Sequence, residues 1–154
     1  MKAVESIFNI ALVALDDKFC KTVSSALASK LDMYWADCRE LIVYNLIDPK
    51  KVLETCGFDY YKKQEKSVIE DCSQYRDTVI SLSFDIFKEY YSFFSNSLII
   101  YLELNKPSLS SSPSKIAFSS RDEFLNHSVD VKIKLSKKSK VQAVNQILSY
   151  LGGL

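Results

Sequence analysis

Lys21 and Thr22 stand together at the end of residues 15–22, a segment that leaves an apolar run at 7–15 and enters a stretch of helical spacing at 20–31. Its length and ending are those of the phosphate-binding pattern G-x-x-x-x-G-K-[ST], whose glycine loop turns backbone N–H groups toward an anion at a helix start. Leu15 and Cys20 replace both glycines of that pattern. Glycine serves there because the loop needs positive φ angles, which cost other residues about 1–2 kcal/mol, and because phosphate oxygens approach the backbone closely. The two replacements therefore predict a loop of another shape. Asp16 and Asp17 also place two negative charges where a triphosphate would sit, and Lys18 offsets one of them.

Other chemistries have less to work with. The single histidine, His127, follows Phe124-Leu125-Asn126 in what reads as a helix end, a weak basis for a Ser-His or Cys-His nucleophile. Cys20, Cys38, Cys56 and Cys72 contain no C-x-x-C pair, which argues against zinc. Their scatter suits the reduced, partly buried thiols of a cytoplasmic protein. With 47% hydrophobic residues, 25% charged residues and a net charge of +1, the chain has the composition of a globular domain, not of a polyelectrolyte that holds nucleic acid. No apolar run approaches the ~20 residues that span a bilayer. The opening stretch does not read as a secretory leader, because Glu5 sits in its charged region, Asn9 interrupts its apolar part, and Asp16, Asp17 and Lys18 follow. A monomeric cytoplasmic domain, free of membrane and nucleic acid, is expected. Glycine is scarce: there are 3, where average usage of roughly 7% would give about 11.

The elements that must position these residues alternate. Residues 7–15, 33–36, 78–82, 98–104 and 129–135 read as strands, the first apolar enough to be buried on both faces. Between them, 20–31, 38–47, 49–56, 60–72, 86–94, 121–127 and 141–151 read as helices, with Asp48 and Pro49 opening one and Ser119 or Ser120 capping another. Residues 105–114, with Pro107, Pro113 and a run of serines, read as a loop. Strands that alternate with helices imply an α/β domain with a parallel sheet covered on both faces.

Four further stretches carry a resemblance. Asp37-Cys38-Arg39 is followed by Glu40-Leu41-Ile42, and residues 57–65 begin with Gly57 and hold Lys62 and Glu65. Val79-Ile80-Ser81-Leu82 runs into Ser83-Phe84-Asp85, and Arg121, Leu125, Val129 and Asp130 keep a regular spacing. With Lys21-Thr22, in this order, they resemble the shikimate kinase family of P-loop small-molecule kinases. That family's pattern has Asp-x-Asp after the second strand, Gly-Glu-x-x-Phe-Arg-x-x-Glu, a glycine triplet after the third strand, and Arg-x-x-x-Tyr-x-x-x-Ala-Asp. The resemblance implies a three-layer αβα P-loop kinase fold with a five-stranded parallel sheet. It implies a single domain over 1–154, with a reduced lid at 105–120.

The resemblance also implies roles. Lys21, with Lys18, would neutralise the phosphates of ATP, Thr22 and Asp37 would hold Mg²⁺, and Arg39, Lys62, Glu65 and Arg121 would face the substrate. Each has an ordinary alternative, as a solvated lysine, a helix-start residue or a surface ion pair. The departures are as informative. Arg39 stands where a second aspartate would help deprotonate the substrate hydroxyl; an arginine stays protonated and cannot, so it either pairs with Asp37 or Glu65 in a filled pocket or takes a new role. Lys62 offers a point charge in place of an arginine fork, Phe84 is placed to fill the substrate site, and the lid region holds only Lys106 and Lys115 as cations. The expectation is a domain that has lost, or nearly lost, phosphoryl transfer and binds a small metabolite or a protein partner in a regulatory role. The alternative is an active ATP-dependent kinase acting on shikimate or a similar hydroxylated carboxylate through an altered loop of Lys18, Lys21 and Lys115.

Overall fold

The structure, a computed structural model, describes residues 7–104 and 112–153, with the backbone alone for 112–119. Strand β1 (Asn9–Val13) is buried along its whole length at the centre of an all-parallel sheet. The sheet has the order β2-β3-β1-β4-β5, completed by β2 (Tyr34–Asp37), β3 (Thr78–Leu82), β4 (Ser97–Leu104) and β5 (Val131–Leu135). Because side chains alternate along a strand, Ile10, Leu12 and Ala14 enter one core and Ala11 and Val13 the other. The first core packs against α1 (Asp17–Leu31) and α7 (Lys140–Gly152). The second packs against α2 (Cys38–Leu46), α4 (Phe58–Ser73), α5 (Phe84–Tyr90) and α6 (Ser112–Ser128). Between α2 and α4, α3 (Pro49–Cys56) buries no residue fully. These are the three layers expected, and the described residues contain no helix long and apolar enough to cross a membrane.

Short polar side chains start the helices. Asp16, Asp37, Asp48, Ser83 and Ser139 each accept a hydrogen bond from the backbone N–H three residues on, satisfying a donor the helix leaves open. Positive φ angles fall at Asp32, Ile47 and Asp77 as well as at Gly57. Ile47, β-branched and at φ 66, carries strain of about 1–2 kcal/mol.

Several boundaries differ from the sequence reading, each for a local reason. Asp16 starts α1 at Asp17, so residues expected in the loop are helical. Ser83 likewise starts α5 at Phe84, and a 3₁₀ turn, Tyr91–Phe94, finishes it. Helix α6 begins at Ser112, so Ser119 and Ser120 lie inside it and not at its start; Pro113 falls in the first turn, where its missing N–H costs nothing. Strand β5 begins at Val131, because Asp130 turns its carboxylate to the Ile99 N–H at 2.9 Å. Of the expected lid at 105–120, residues 105–111 lie outside the described residues and 112–120 are the first turns of α6.

Candidate functional site

The carboxyl ends of β2 and β3 meet the N-termini of α1, α2 and α5 around a cleft of about 460 Å³. This is where a parallel α/β sheet places its ligand site. The cleft's charged residues are Asp17, Lys21, Asp37, Arg39, Glu40 and Asp85, and Val43, Tyr44 and Leu82 give it apolar wall.

The start of α1 is closed by the chain's own carboxylate. Asp16 Oδ1 accepts from the Phe19 N–H at 2.9 Å, and its other oxygen is paired with the Lys138 ammonium. The hydrogen bond from Lys138, helped by the Phe19 N–H and opposed by partial burial, holds the Asp16 pKa below the usual carboxylate value. A helix N-terminus that would attract a phosphate thus already holds an anion. Cys20 lies in the core under α1, where its Sγ donates to the Leu12 carbonyl at 3.2 Å and burial pushes its thiol pKa to about 12.

Lys21 is not free. Its ammonium meets Glu40 Oε1 at 2.6 Å, joining α1 to α2, and that hydrogen bond raises its pKa. The exposed Thr22 hydroxyl donates back to the Lys18 carbonyl at 3.0 Å, on a groove shared with Lys18. Asp37 is buried on another wall: Oδ1 accepts from Ser81 Oγ at 2.6 Å, and Oδ2 caps α2 through the Glu40 N–H at 3.0 Å. Both oxygens are engaged, and Trp35 Nε1 donates to the same Ser81 oxygen at 3.2 Å. Magnesium fits this donor set poorly. Asp37 lines the cleft and Thr22 the groove with Lys18, and no cluster of three His, Cys, Asp or Glu able to hold a metal occurs among the described residues.

Arg39 lines the cleft, but the pairing expected for it is not made. Asp37 is bonded to Ser81 and Glu40, Glu65 to Lys62 and Tyr90, and Arg39 has no ion pair among the described residues. Asp17, opposite, has its pKa raised, first by burial; the Phe84 N–H opposes this, Asp85 adds to it, and Arg39 opposes it. Phe84 does not fill the cleft either. Its ring is buried edge-on against Phe124 at 5.9 Å, with the Arg121 guanidinium 5.3 Å above it. Lys115 belongs to the residues of which only the backbone is described.

Lys62 and Glu65 form a separate cluster on α4. Lys62 Nζ bridges Glu65 at 3.0 Å and Glu89 at 2.8 Å, and Tyr90 donates its hydroxyl to Glu65 at 2.9 Å. Burial pushes the Glu65 pKa up, but hydrogen bonds from Lys62, Tyr90 and Tyr61 outweigh it and the net shift is downward. A lowered carboxylate pKa gives stability that is complete above the unfolded value near ~4.3 and is lost as pH falls through the folded value. Glu65→Gln should therefore cost about 1–2 kcal/mol at pH 7. In urea titrations that gap should shrink between pH 5 and 3; a gap independent of pH would contradict the pairing.

The sequence reading assigns no role to Glu40, Ser81 or Asp85, although all three stand in the stretches that carry the resemblance, and it passes over Lys138. Ser81 leaves a further signal, as a hydroxyl in a strand buried on both faces.

Compared with known proteins, the chain matches the model of the family described as shikimate kinase over residues 21–152. No curated protein sequence matches it. Among solved structures it is similar to the shikimate kinase of Aquifex aeolicus, with a TM-score of 0.75 and 21% identity over 94% of this chain and 96% of that one. It is also similar to that of Acinetobacter baumannii, solved in complex with shikimate, with a TM-score of 0.69 and 16% identity over 97% and 95%. The shikimate kinase of Bacteroides thetaiotaomicron gives a TM-score of 0.69 and 15% identity over 96% and 99%.

Proposed function

The chain belongs to the shikimate kinase family, and from that premise we propose that it is a member in which phosphoryl transfer is lost or nearly lost, its cleft serving a binding or regulatory role toward a small metabolite or a protein. One observation carries this reading: the Asp16 carboxylate occupies the start of α1, held there by Phe19 N–H and Lys138. A nucleotide would have to displace that carboxylate and then share the space with its charge. Three further features support the reading. Lys21 is committed to Glu40, Asp37 to Ser81 and the start of α2, and the cleft position beside Asp37 carries an arginine that cannot act as a base. A monomeric state and a cytoplasmic location belong to the same proposal.

The competing reading, an active ATP-dependent kinase on shikimate or a similar hydroxylated carboxylate, draws support from the exposure of the Lys21–Glu40 pair. Such a pair is worth at most about 1 kcal/mol, so a triphosphate could exchange with Glu40. That reading requires Lys21→Ala to abolish turnover.

A thermal-shift series with Mg-ATP, ADP and shikimate, alone and combined, separates the two. A ligand at 100 times its Kd adds ~2.7 kcal/mol, an upward shift of about 5–10 °C in a domain of this size. A flat series for nucleotides is expected. ATP-dependent phosphorylation of shikimate at ~1 per second or faster in a coupled assay would overturn the proposal.

A further inference from the structure

Two of the four thiols meet in the core beneath the cleft. Cys38 is the first residue of α2, Cys72 is next to last in α4, and their sulfurs are hydrogen-bonded at 3.6 Å with both residues fully buried. The other two differ in kind. Cys20 is engaged with a backbone carbonyl of β1, and Cys56 is exposed at the end of α3. A disulfide has its sulfurs about 2.05 Å apart, so closing the pair needs an approach of about 1.5 Å. That is within reach of side-chain rotation and a small shift of the first turn of α2.

We propose that Cys38 and Cys72 are a peroxide-oxidisable pair that closes to a disulfide, tying the start of α2 to the end of α4. The pair bears on the cleft, because Cys38 sits between Asp37, which is bonded to Ser81, and Arg39, a cleft cation that has no ion pair among the described residues. Any movement of Cys38 is transmitted to both neighbours. The inference stands apart from the functional reading above, since it depends only on the two sulfurs.

The chemistry balances with hydrogen peroxide as oxidant. Local opening at the first turn of α2 lets peroxide reach one sulfur, which becomes a sulfenic acid as one water leaves. The second thiol then attacks that sulfur and expels a second water, so two thiols lose two electrons and peroxide is reduced to two waters. The hydrogen bond with Cys72 and burial raise the Cys38 pKa, keeping it a thiol at neutral pH, so reaction is expected to be slower than at an exposed cysteine.

The test uses the full chain carrying Cys56→Ser, which removes the exposed thiol. The folded protein is treated with hydrogen peroxide, its remaining thiols are blocked, and it is digested without reductant for mass spectrometry. A peptide pair linked through Cys38 and Cys72, lost on treatment with dithiothreitol, is expected, with the oxidised protein unfolding about 5–10 °C higher. Adding Cys72→Ala should abolish both the linked pair and the rise. Recovery of Cys38 and Cys72 as free thiols, as separate sulfinic or sulfonic acids, or linked to Cys20, would overturn the proposal.

Discussion

Replacing Asn9 with leucine should cost about 3–4 kcal/mol, the largest loss expected of any polar side chain described. Asn9 opens the central strand β1, is almost fully buried, and joins three elements. Its Nδ2 donates to the Ser73 carbonyl at 3.0 Å and to the Tyr75 carbonyl at 2.8 Å, both at the exit of α4, while its Oδ1 accepts from the Ser97 hydroxyl at the start of β4. Leucine matches the volume and makes none of these bonds. Each buried group left without a partner costs about 1–3 kcal/mol, discounted here because the Tyr75 bond lies only partly out of water. In a domain of this size such a loss lowers the unfolding midpoint by about 8–14 °C. Asn9→Asp should do no better, because it would set a charge against two carbonyl oxygens. A loss under about 1 kcal/mol for Asn9→Leu in urea denaturation would mean the three bonds are not made together.

From the sequence, Asn9 was visible only as a blemish in an apolar run. That contrast locates what a single chain makes legible. The fold could be read because burial on both faces leaves an unbroken apolar strand, as in β1 and β3, and because parallel strands require crossing helices. The altered loop could also be read, since missing glycines are a local property of residues 15–22. Its actual shape could not. Asp16 finds Lys138 at the far end of the chain, and Lys21 finds Glu40 across a helix pair, so both partners depend on tertiary placement. Arg39 shows the same limit from the other side: two acids were within plausible reach, and the fold gives both of them other donors. The sequence starts helix α6 too late, at Arg121 and not Ser112, for another reason. Its serines and Pro113 have poor helical propensity in the interior, but a proline in the first turn removes no hydrogen bond.

Asp37 is where the structural and chemical readings of this cleft part most sharply, and two substitutions distinguish them. Asp37→Ala should cost about 2–3 kcal/mol, since it removes the cap of α2 and leaves the buried Ser81 hydroxyl without its acceptor. Asp37→Asn should cost under about 1 kcal/mol. The amide oxygen can still cap α2, and the amide N–H₂ can donate to Ser81 once that hydroxyl rotates. A carboxylate whose task is to hold a divalent cation behaves differently: the amide loses the charge as completely as alanine does, and the apo fold suffers little from either change. Denaturation of the wild type and both variants, with and without magnesium and ATP, reads the difference. Alanine worse than asparagine, unchanged by magnesium, is the outcome expected of a helix cap. A wild type stabilised by Mg-ATP, with the gain lost equally in both variants, would make Asp37 a metal ligand and return the cleft to phosphoryl transfer.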